Sequence, residues 1–234
     1  MKKLFLTGAL ALFAAVNAQE YKAGAGDVTV DFGLSGGLGA TKVDLPTAGL
    51  NSGAVFKARY FNSEQWAYRG ILNVNSTSTT DKSASVHNVS DNKETKSNLG
   101  LELGLGVERH FTGTDRLDTY VGGDILVGFN SQKVTTEVNS LTNTDKSKNE
   151  VKGPNAFNFG VRGVFGADYY FAKRVYLGVE GGLAVKFGSR GETKTSSSST
   201  VGGVTTNTES STKGGSSFGI TPSVVAGIRL GYAF

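Results

Sequence analysis

The last seventeen residues of the chain alternate between apolar and polar side chains. From Phe218 to Phe234 every second residue is apolar, and the positions between are mostly glycine, serine, threonine or arginine. A period of two is that of a β-strand whose one face meets an apolar environment. Because strands of soluble sheets are usually about five or six residues long, this run indicates a strand that crosses a bilayer at a tilt.

The same alternation divides residues 27–234 into eight predicted strands. They are Asp27–Leu38, Gly53–Phe61, Trp66–Asn75, Ser97–Phe111, Leu117–Asn130, Asn155–Phe171, Val175–Phe187 and Phe218–Phe234. In the fourth strand, leucine or valine occupies every second position from Leu99 to Val107. Proline lacks the N–H that a sheet ladder needs, so Pro222 predicts a bulge or local break in the eighth strand.

The connections between these strands alternate between short and long. Three turns of about three to five residues alternate with long segments rich in Ser, Thr, Asn, Lys and Asp, which include Ser76–Lys96, Ser131–Pro154 and Gly188–Ser216. Such segments bury too little apolar surface to order themselves, so we expect irregular loops. Short turns at one end and long polar loops at the other are typical of an all-β, eight-stranded, antiparallel up-and-down transmembrane barrel, which leaves no strand edge open to lipid.

Aromatic side chains support the barrel prediction because they gather at both ends of the strands. At the short-turn ends lie Tyr60, Trp66, Tyr68, Phe111, Tyr169, Phe171, Tyr232 and Phe234, and at the long-loop ends lie Phe129, Phe157, Phe187 and Phe218. A membrane's two interfaces select this arrangement. A soluble β-sandwich would also alternate, but it would not sort its aromatic residues in this way.

The N-terminus has the features of a secretory signal peptide. Lys2 and Lys3 precede an apolar stretch from Leu4 to Ala15, and small residues follow up to Ala18. We expect export and removal of residues 1–18, leaving a short segment, 19–26, before the barrel domain, 27–234. The alternative, a transmembrane helix anchor, is disfavoured because the apolar core is too short to span.

Composition excludes several classes of protein. The chain has no cysteine, so no disulfides stabilise it. Without Lys2 and Lys3 it carries 22 basic and 20 acidic residues, a balance too even to indicate a nucleic-acid partner.

These features together resemble the small eight-stranded outer-membrane barrels of the OmpA/OmpX type, over residues 27–234. The resemblance rests on the leader, the strand pattern and the ending Gly231-Tyr232-Ala233-Phe234. It implies a bacterial outer-membrane location, with lipid and lipopolysaccharide as neighbours. It also implies that Tyr232 and Phe234 form the signal recognised by the barrel-assembly machinery, and that periplasmic chaperones escort the chain. The remaining aromatics of the short-turn end would form a girdle: Tyr60, Trp66, Tyr68, Phe111, Tyr169 and Phe171.

Charged residues on the inward face predict a salt-bridged interior. Six basic and six acidic side chains fall there: Lys57, Arg59, Arg69, Arg162, Lys186, Arg229, Asp31, Glu102, Glu108, Asp124, Asp168 and Glu180. An eight-stranded barrel has room only for its own side chains, and buried charges need partners. Strand adjacency suggests that Arg69 pairs with Glu108, Arg162 with Asp124, and Arg229 with Asp31 or Glu180. We therefore predict a closed lumen; the alternative is that these charges line a narrow ion path.

No arrangement of residues indicates catalysis, a cofactor or a metal. His87 lies in a polar loop, and His110 faces inward beside Glu108, more consistent with a hydrogen-bonded lumen residue than with a catalytic base. The sequence therefore predicts a non-enzymatic structural or interaction protein whose loops contact a surface ligand or protein partner. A narrow solute or ion channel is the alternative, and a lipid-modifying enzyme is a third, less favoured function.

Overall fold

A computed structural model describes residues 21–34, 54–84, 90–140, 145–223 and 229–234. The described residues form twelve β-strands: β1 (Val28–Leu34), β2 (Ala54–Ser63), β3 (Trp66–Ala84), β4 (Ser90–Phe111), β5 (Leu117–Ser140), β6 (Lys146–Lys152), β7 (Ala156–Ala172), β8 (Val175–Arg190), β9 (Thr193–Val201), β10 (Val204–Thr212), β11 (Gly215–Ser223) and β12 (Arg229–Ala233). Within those ranges, no helix has the length and apolar character needed to cross a membrane.

Eight antiparallel strands close into a ring. Strands β1 to β5 pair in chain order, β5 pairs with β7, and β7 pairs with β8. Strands β11 and β12 both pair with β8 and together form the eighth strand of the barrel wall. Pairing of β12 with β1, which places Gly231 opposite Asp31, completes the ring. The predicted eight-stranded barrel is confirmed.

The structure places the side chains of the ring strands alternately on an inward and an outward face. On β4 the five apolar residues from Leu99 to Val107 are 43–62% exposed, whereas Gly104 and Glu108 on the opposite face are buried. Exposed apolar side chains all round a ring are unfavourable in water and favourable in lipid. The six girdle residues lie on the same outer face, with exposures from 45% to 57%: Tyr60, Trp66, Tyr68, Phe111, Tyr169 and Phe171.

The strand ladder is not interrupted at Pro222, where the sequence predicts a bulge or local break. Pro222 pairs in register with Leu183, and β11 continues to Ser223, opposite Gly182. After residues 224–228, which lie outside the described part, Arg229 stands opposite Gly178. The register of β12 is therefore two residues out of step with that of β11. Because the offset is even, outward Ile220 and Leu230 keep the same face.

The expectation of irregular long loops is wrong for the described residues. Strand β3 continues to Ala84, β4 begins at Ser90, and β5 continues to Ser140, with unbroken register between them. These residues bury little apolar surface, but they extend ladders that the barrel wall has already set in register. Their threonine and serine residues also suit strands. Cross-strand hydroxyl pairs, such as Thr80 with Thr95 at 3.2 Å, add to the ladder.

Three further strands widen this extension into a sheet outside the ring. β6 pairs with β5, β9 with β6, and β10 with β9. We call the portion of β3, β4 and β5 beyond the barrel, together with β6, β9 and β10, the loop-end sheet. The first predicted strand, Asp27–Leu38, is described only to Leu34, and His87 lies outside the described residues.

Candidate functional site: the barrel interior

Alternation along the ring strands points ten of the twelve predicted charged side chains into the barrel at no more than 5% exposure. They are Lys57, Arg59, Arg69, Arg162 and Arg229, with Asp31, Glu108, Asp124, Asp168 and Glu180. Asp118 on β5 is also buried, at 5% exposure, beside His110, so five cations and six carboxylates share a space closed to solvent. Desolvation of so many ions is costly unless each is paired.

Two glutamates and two cations form the centre of this network. Glu108 Oε1 lies 2.6 Å from both Lys57 Nζ and Arg69 Nη1. Arg69 Nη2 donates to Glu180 Oε1 at 2.7 Å, and Lys57 Nζ donates to Glu180 Oε2 at 3.0 Å. Because these residues come from β2, β3, β4 and β8, the cluster ties opposite walls of the barrel together.

A second cluster lies between β1, β2, β7 and β12. Arg59 Nη1 lies 2.7 Å from Asp168 Oδ2, and Arg59 Nη2 lies 3.4 Å from Asp31 Oδ2. Arg229 contacts the same two carboxylates, at 2.9 Å from Asp31 and 3.2 Å from Asp168. Two arginines therefore share two aspartates across the seam where the ring closes.

The remaining predicted charges pair nearer the long-loop end. Arg162 Nη2 donates to Asp124 Oδ2 at 2.6 Å, and Arg69 Nε lies 2.9 Å from Asp124 Oδ1. Lys186 and Glu102 form an ion pair whose side chains are 27% and 18% exposed. The charged side chains are therefore buried in the two clusters and partly exposed at the Lys186–Glu102 pair.

Three suggested pairs come together: Arg69 with Glu108, Arg162 with Asp124, and Arg229 with Asp31. Of the two partners suggested for Arg229, Glu180 makes no ion pair with it among the described residues. Glu180 instead forms ion pairs with Lys57 and Arg69. Asp168 occupies the second position on Arg229.

Buried hydroxyl groups link the two clusters, and the sequence reasoning missed them. Tyr120 Oη donates to Glu180 at 2.7 Å and accepts from Arg229 Nη2 at 2.7 Å. Arg59 donates to Tyr176 Oη at 2.7 Å and to Thr29 Oγ1 at 3.0 Å. The strand period does contain a signal for these two tyrosines. Tyr120 is in phase with inward-facing Asp124, and Tyr176 is in phase with inward-facing Glu180.

Glycines opposite these side chains make the space that the network occupies. A Cβ added at Gly178 would lie 2.8 Å from Arg229 Nη2 and would also clash with Asp168 Oδ1. A Cβ at Gly231 would overlap the ring of Tyr176, and one at Gly166 would overlap Tyr120. These positions admit no larger residue unless the network moves.

At the short-turn end, His110 connects the network to an open cavity. One ring nitrogen lies 2.8 Å from Asp118 Oδ2, and the other lies 3.1 Å from Glu108 Oε2. The cavity beyond has a volume of about 480 Å³ and is lined in part by residues 21–24. Arg116 donates to Tyr21 Oη at 3.0 Å, which holds this N-terminal segment against the mouth.

The ring's last strand ends within the wall at this same mouth. The Phe234 amide donates to the Val28 carbonyl at 2.8 Å, and the Phe234 side chain is 59% exposed on the outer face. Its ring packs edge-on against Tyr232, with centroids 4.8 Å apart. Both proposed assembly-signal residues therefore lie at the seam of the barrel.

Ion pairs of the loop-end sheet contrast with those of the interior. Glu150 Oε1 and Oε2 each lie 2.9 Å from a lysine, Lys152 and Lys133 respectively. Hydrogen bonds from Lys152 and then Lys133 lower the pKa of the Glu150 carboxyl from 4.5 to about 2. The lysine side chains are 63% and 45% exposed, so water screens these pairs.

Among the described residues, no group of three or more His, Asp or Glu side chains is arranged to hold a metal ion. Both nitrogens of His110 are engaged by carboxylates. The arrangement of the interior thus consists of ion pairs and hydrogen bonds between the chain's own side chains.

The family to which the chain is matched agrees with this architecture. A family model described as "Putative OmpA-OmpF-like porin family" matches residues 49–187, more than half of the chain. Among solved structures, the chain is similar to the outer membrane protein AlkL, determined by solid-state NMR in DMPC lipid bilayers. The identity is 18%, the TM-score is 0.32, and the match covers 94% of this chain and 95% of that one. No curated protein matches the chain.

Proposed function

The chain belongs to the OmpA-OmpF-like porin family and is an outer-membrane β-barrel, and we propose that it is a non-conducting anchor that presents an extracellular sheet to surface ligands or partner proteins. The long-loop end is extracellular in such barrels, and the short-turn end is periplasmic. The observation that carries the proposal is the loop-end sheet, which continues the ladders of the membrane wall beyond the barrel.

The chemistry of the loop-end sheet suits contact with polar partners. All nine residues of β10 are exposed, and in the described part of the chain β10 pairs with β9 alone. An edge strand with free N–H and C=O groups can accept another chain by strand addition. Threonine, serine and asparagine dominate its side chains, so hydroxyl-rich or peptide ligands are the expected partners.

The closed interior supports the non-conducting part of the proposal. Glu108, Arg59 and Asp168 are at most 1% exposed, and they span the lumen with their partners. An ion crossing this level would have to separate several buried pairs, which costs several kcal/mol for each uncompensated charge. The family description names porins, so a narrow channel is the alternative that a measurement must exclude.

Single-channel recording in planar bilayers tests the closed lumen. We expect no steady conductance from the refolded full chain. A stable open-channel current that persists after repeated reconstitution would contradict a closed interior and would support the channel alternative.

Removal of the β9–β10 hairpin tests the surface role. Replacing residues 193–212 by a short Gly-Ser turn keeps Arg190 and Gly215 within reach, because those residues already pair across β8 and β11. Cells that display the full chain should be retained under flow on glass coated with dextran or with serum albumin better than cells that display the shortened chain. Equal retention on both coatings would contradict the interaction role.

A further inference from the structure

Three lysines lie side by side on the outer face of the loop-end sheet. Lys133 on β5 is directly opposite Lys152 on β6, and Lys152 is directly opposite Lys194 on β9. Adjacent strands lie about 4.8 Å apart, so the row spans about 10 Å. Like charges placed directly opposite each other destabilise a sheet, and this row therefore needs an anion to compensate it.

The chain supplies only part of that compensation. Glu150 lies on the same face and contacts Lys133 and Lys152, both at 2.9 Å. Lys194 makes no ion pair with any described residue, although Glu209 lies diagonally across from it on β10. Three cations with one engaged carboxylate leave an excess of positive charge at this place.

Directly beneath the lysine row, the barrel carries a band of outward phenylalanines. Phe129 pairs with Phe157, Phe159 with Phe187, and Phe187 with Phe218. Their exposures run from 42% to 62%, and the rings of Phe187 and Phe218 lie 4.9 Å apart. The band covers β5, β7, β8 and β11, the strands beneath β6, β9 and β10.

The distance between the lysines and the phenylalanines matches a lipid headgroup. Lys133 follows Phe129 by four residues, which is about 13 Å along a strand and about 10 Å along the membrane normal at the usual tilt. Phenylalanines at the edge of the apolar belt contact acyl chains and the interface. Cations just above them lie at the height of headgroup phosphates.

On the neighbouring strands β4 and β3, the same cross-strand row contains serines instead of lysines. Ser97 on β4 is directly opposite Lys133, and Ser78 on β3 is directly opposite Ser97. In the outward positions of this row, lysines therefore occur over the phenylalanine band and serines occur over the neighbouring β3–β4 wall. The next outward row also holds three lysines, Lys82, Lys93 and Lys148, but it is farther from the phenylalanine band and Glu137 contacts two of them.

We propose that Lys133, Lys152 and Lys194, with the phenylalanine band below them, form a binding site for a phosphorylated lipid of the outer leaflet, of the lipid A type. The lysines hold the phosphates by charge-assisted hydrogen bonds, and the phenylalanines pack against the acyl chains. This inference rests on the outer-membrane location and is independent of the proposed surface interaction.

Native mass spectrometry of the refolded full chain in detergent micelles tests the site. The probes are lipid A with two phosphates, its dephosphorylated counterpart and inorganic phosphate. We compare the unmodified chain with the K133Q/K152Q/K194Q variant. The matched control is K82Q/K93Q/K148Q, which removes three lysines from the outward row four residues farther from the membrane.

The unmodified chain should bind the phosphorylated lipid at least about tenfold more tightly than the dephosphorylated one. The first variant should lose this preference, and the control should keep it. Heat-shifted migration on gels will show that each variant is folded. Equal losses in both variants, no loss in either, or displacement of the lipid by equimolar inorganic phosphate would overturn the proposal.

Discussion

The barrel interior and the loop-end sheet use the same ion-pair chemistry in opposite environments. Glu108 is completely buried between Lys57 and Arg69, whereas Glu137 reaches Lys93 and Lys148 at 3.5 Å with 32% of its side chain exposed. Water screens the second set and not the first. A pair inside the barrel therefore constrains folding strongly, and a pair on the extracellular sheet contributes little.

This difference explains how one chain carries two kinds of sheet. In the membrane, apolar residues face outward and charges face inward, so the wall depends on its interior for cohesion. Beyond the membrane, polar residues predominate on both faces of the sheet, and its order comes from ladders begun in the wall. The barrel can therefore tolerate changes in the loop-end sheet that it cannot tolerate inside.

The largest expected effect follows from removing one central carboxylate. E108Q keeps the side-chain volume but leaves Lys57, Arg59 and Arg69 with one anion fewer. We expect a loss of about 3–5 kcal/mol in the free energy of unfolding, as for other broken buried pairs. Urea unfolding in lipid vesicles, followed by tryptophan fluorescence, measures it.

E137Q is the matched control for this prediction. It makes the same substitution on the loop-end sheet, where exposed pairs contribute less than about 1 kcal/mol. If the two variants lose equal stability, the contrast between the interior and the extracellular sheet is wrong.

The strands, their faces and the identity of the inward charges could be predicted from the sequence because lipid imposes a strict period of two. One register assigns Asp124, Arg162 and Glu180 to the lumen without any knowledge of contacts. The partners of Arg229 could not be fixed in the same way. Asp31, Asp168 and Glu180 all lie within reach of a long arginine, and the choice depends on Lys57 and Arg69 occupying Glu180.

The loop-end sheet was missed for a different physical reason. Composition measures how much apolar surface a segment can bury, and Thr193–Val201 buries little. It does not report whether a neighbouring strand already presents a ladder in register. The pairing of β6 with β5 and of β9 with β6 depends on that template. Long polar connections in barrels therefore need to be judged together with the strands they continue.

The next largest effect is expected when an arginine is added to the outward face of β4, and its size should depend on the position along the strand. L103R places a cation on the lipid-facing side of β4, where Leu103 is 49% exposed, and should cost about 2–4 kcal/mol. T95R makes the same addition on the outward face of the same strand, in the loop-end sheet, where it removes the hydroxyl contact with Thr80, and it should cost less than about 1 kcal/mol. The fraction of heat-modifiable protein recovered in membranes provides the measurement. Equal recovery would place Leu103 outside the bilayer.

The smallest effect is a pH dependence confined to the loop-end sheet. The pKa of Glu150 is lowered to about 2 by hydrogen bonds from Lys152 and Lys133, whereas an unfolded glutamate titrates near 4.3. A group with a lowered pKa in the folded state stabilises that state above its unfolded pKa, and the contribution disappears as the pH falls through the folded value. Amide exchange in β6 should therefore accelerate between about pH 4.5 and pH 2, while β4 within the barrel stays protected.

In E150Q, β6 exchange should not vary over this window apart from the intrinsic chemical rate. Carboxyl NMR of Glu150 gives the direct check, since a midpoint near 4.3 would show that the two lysines do not hold it in solution.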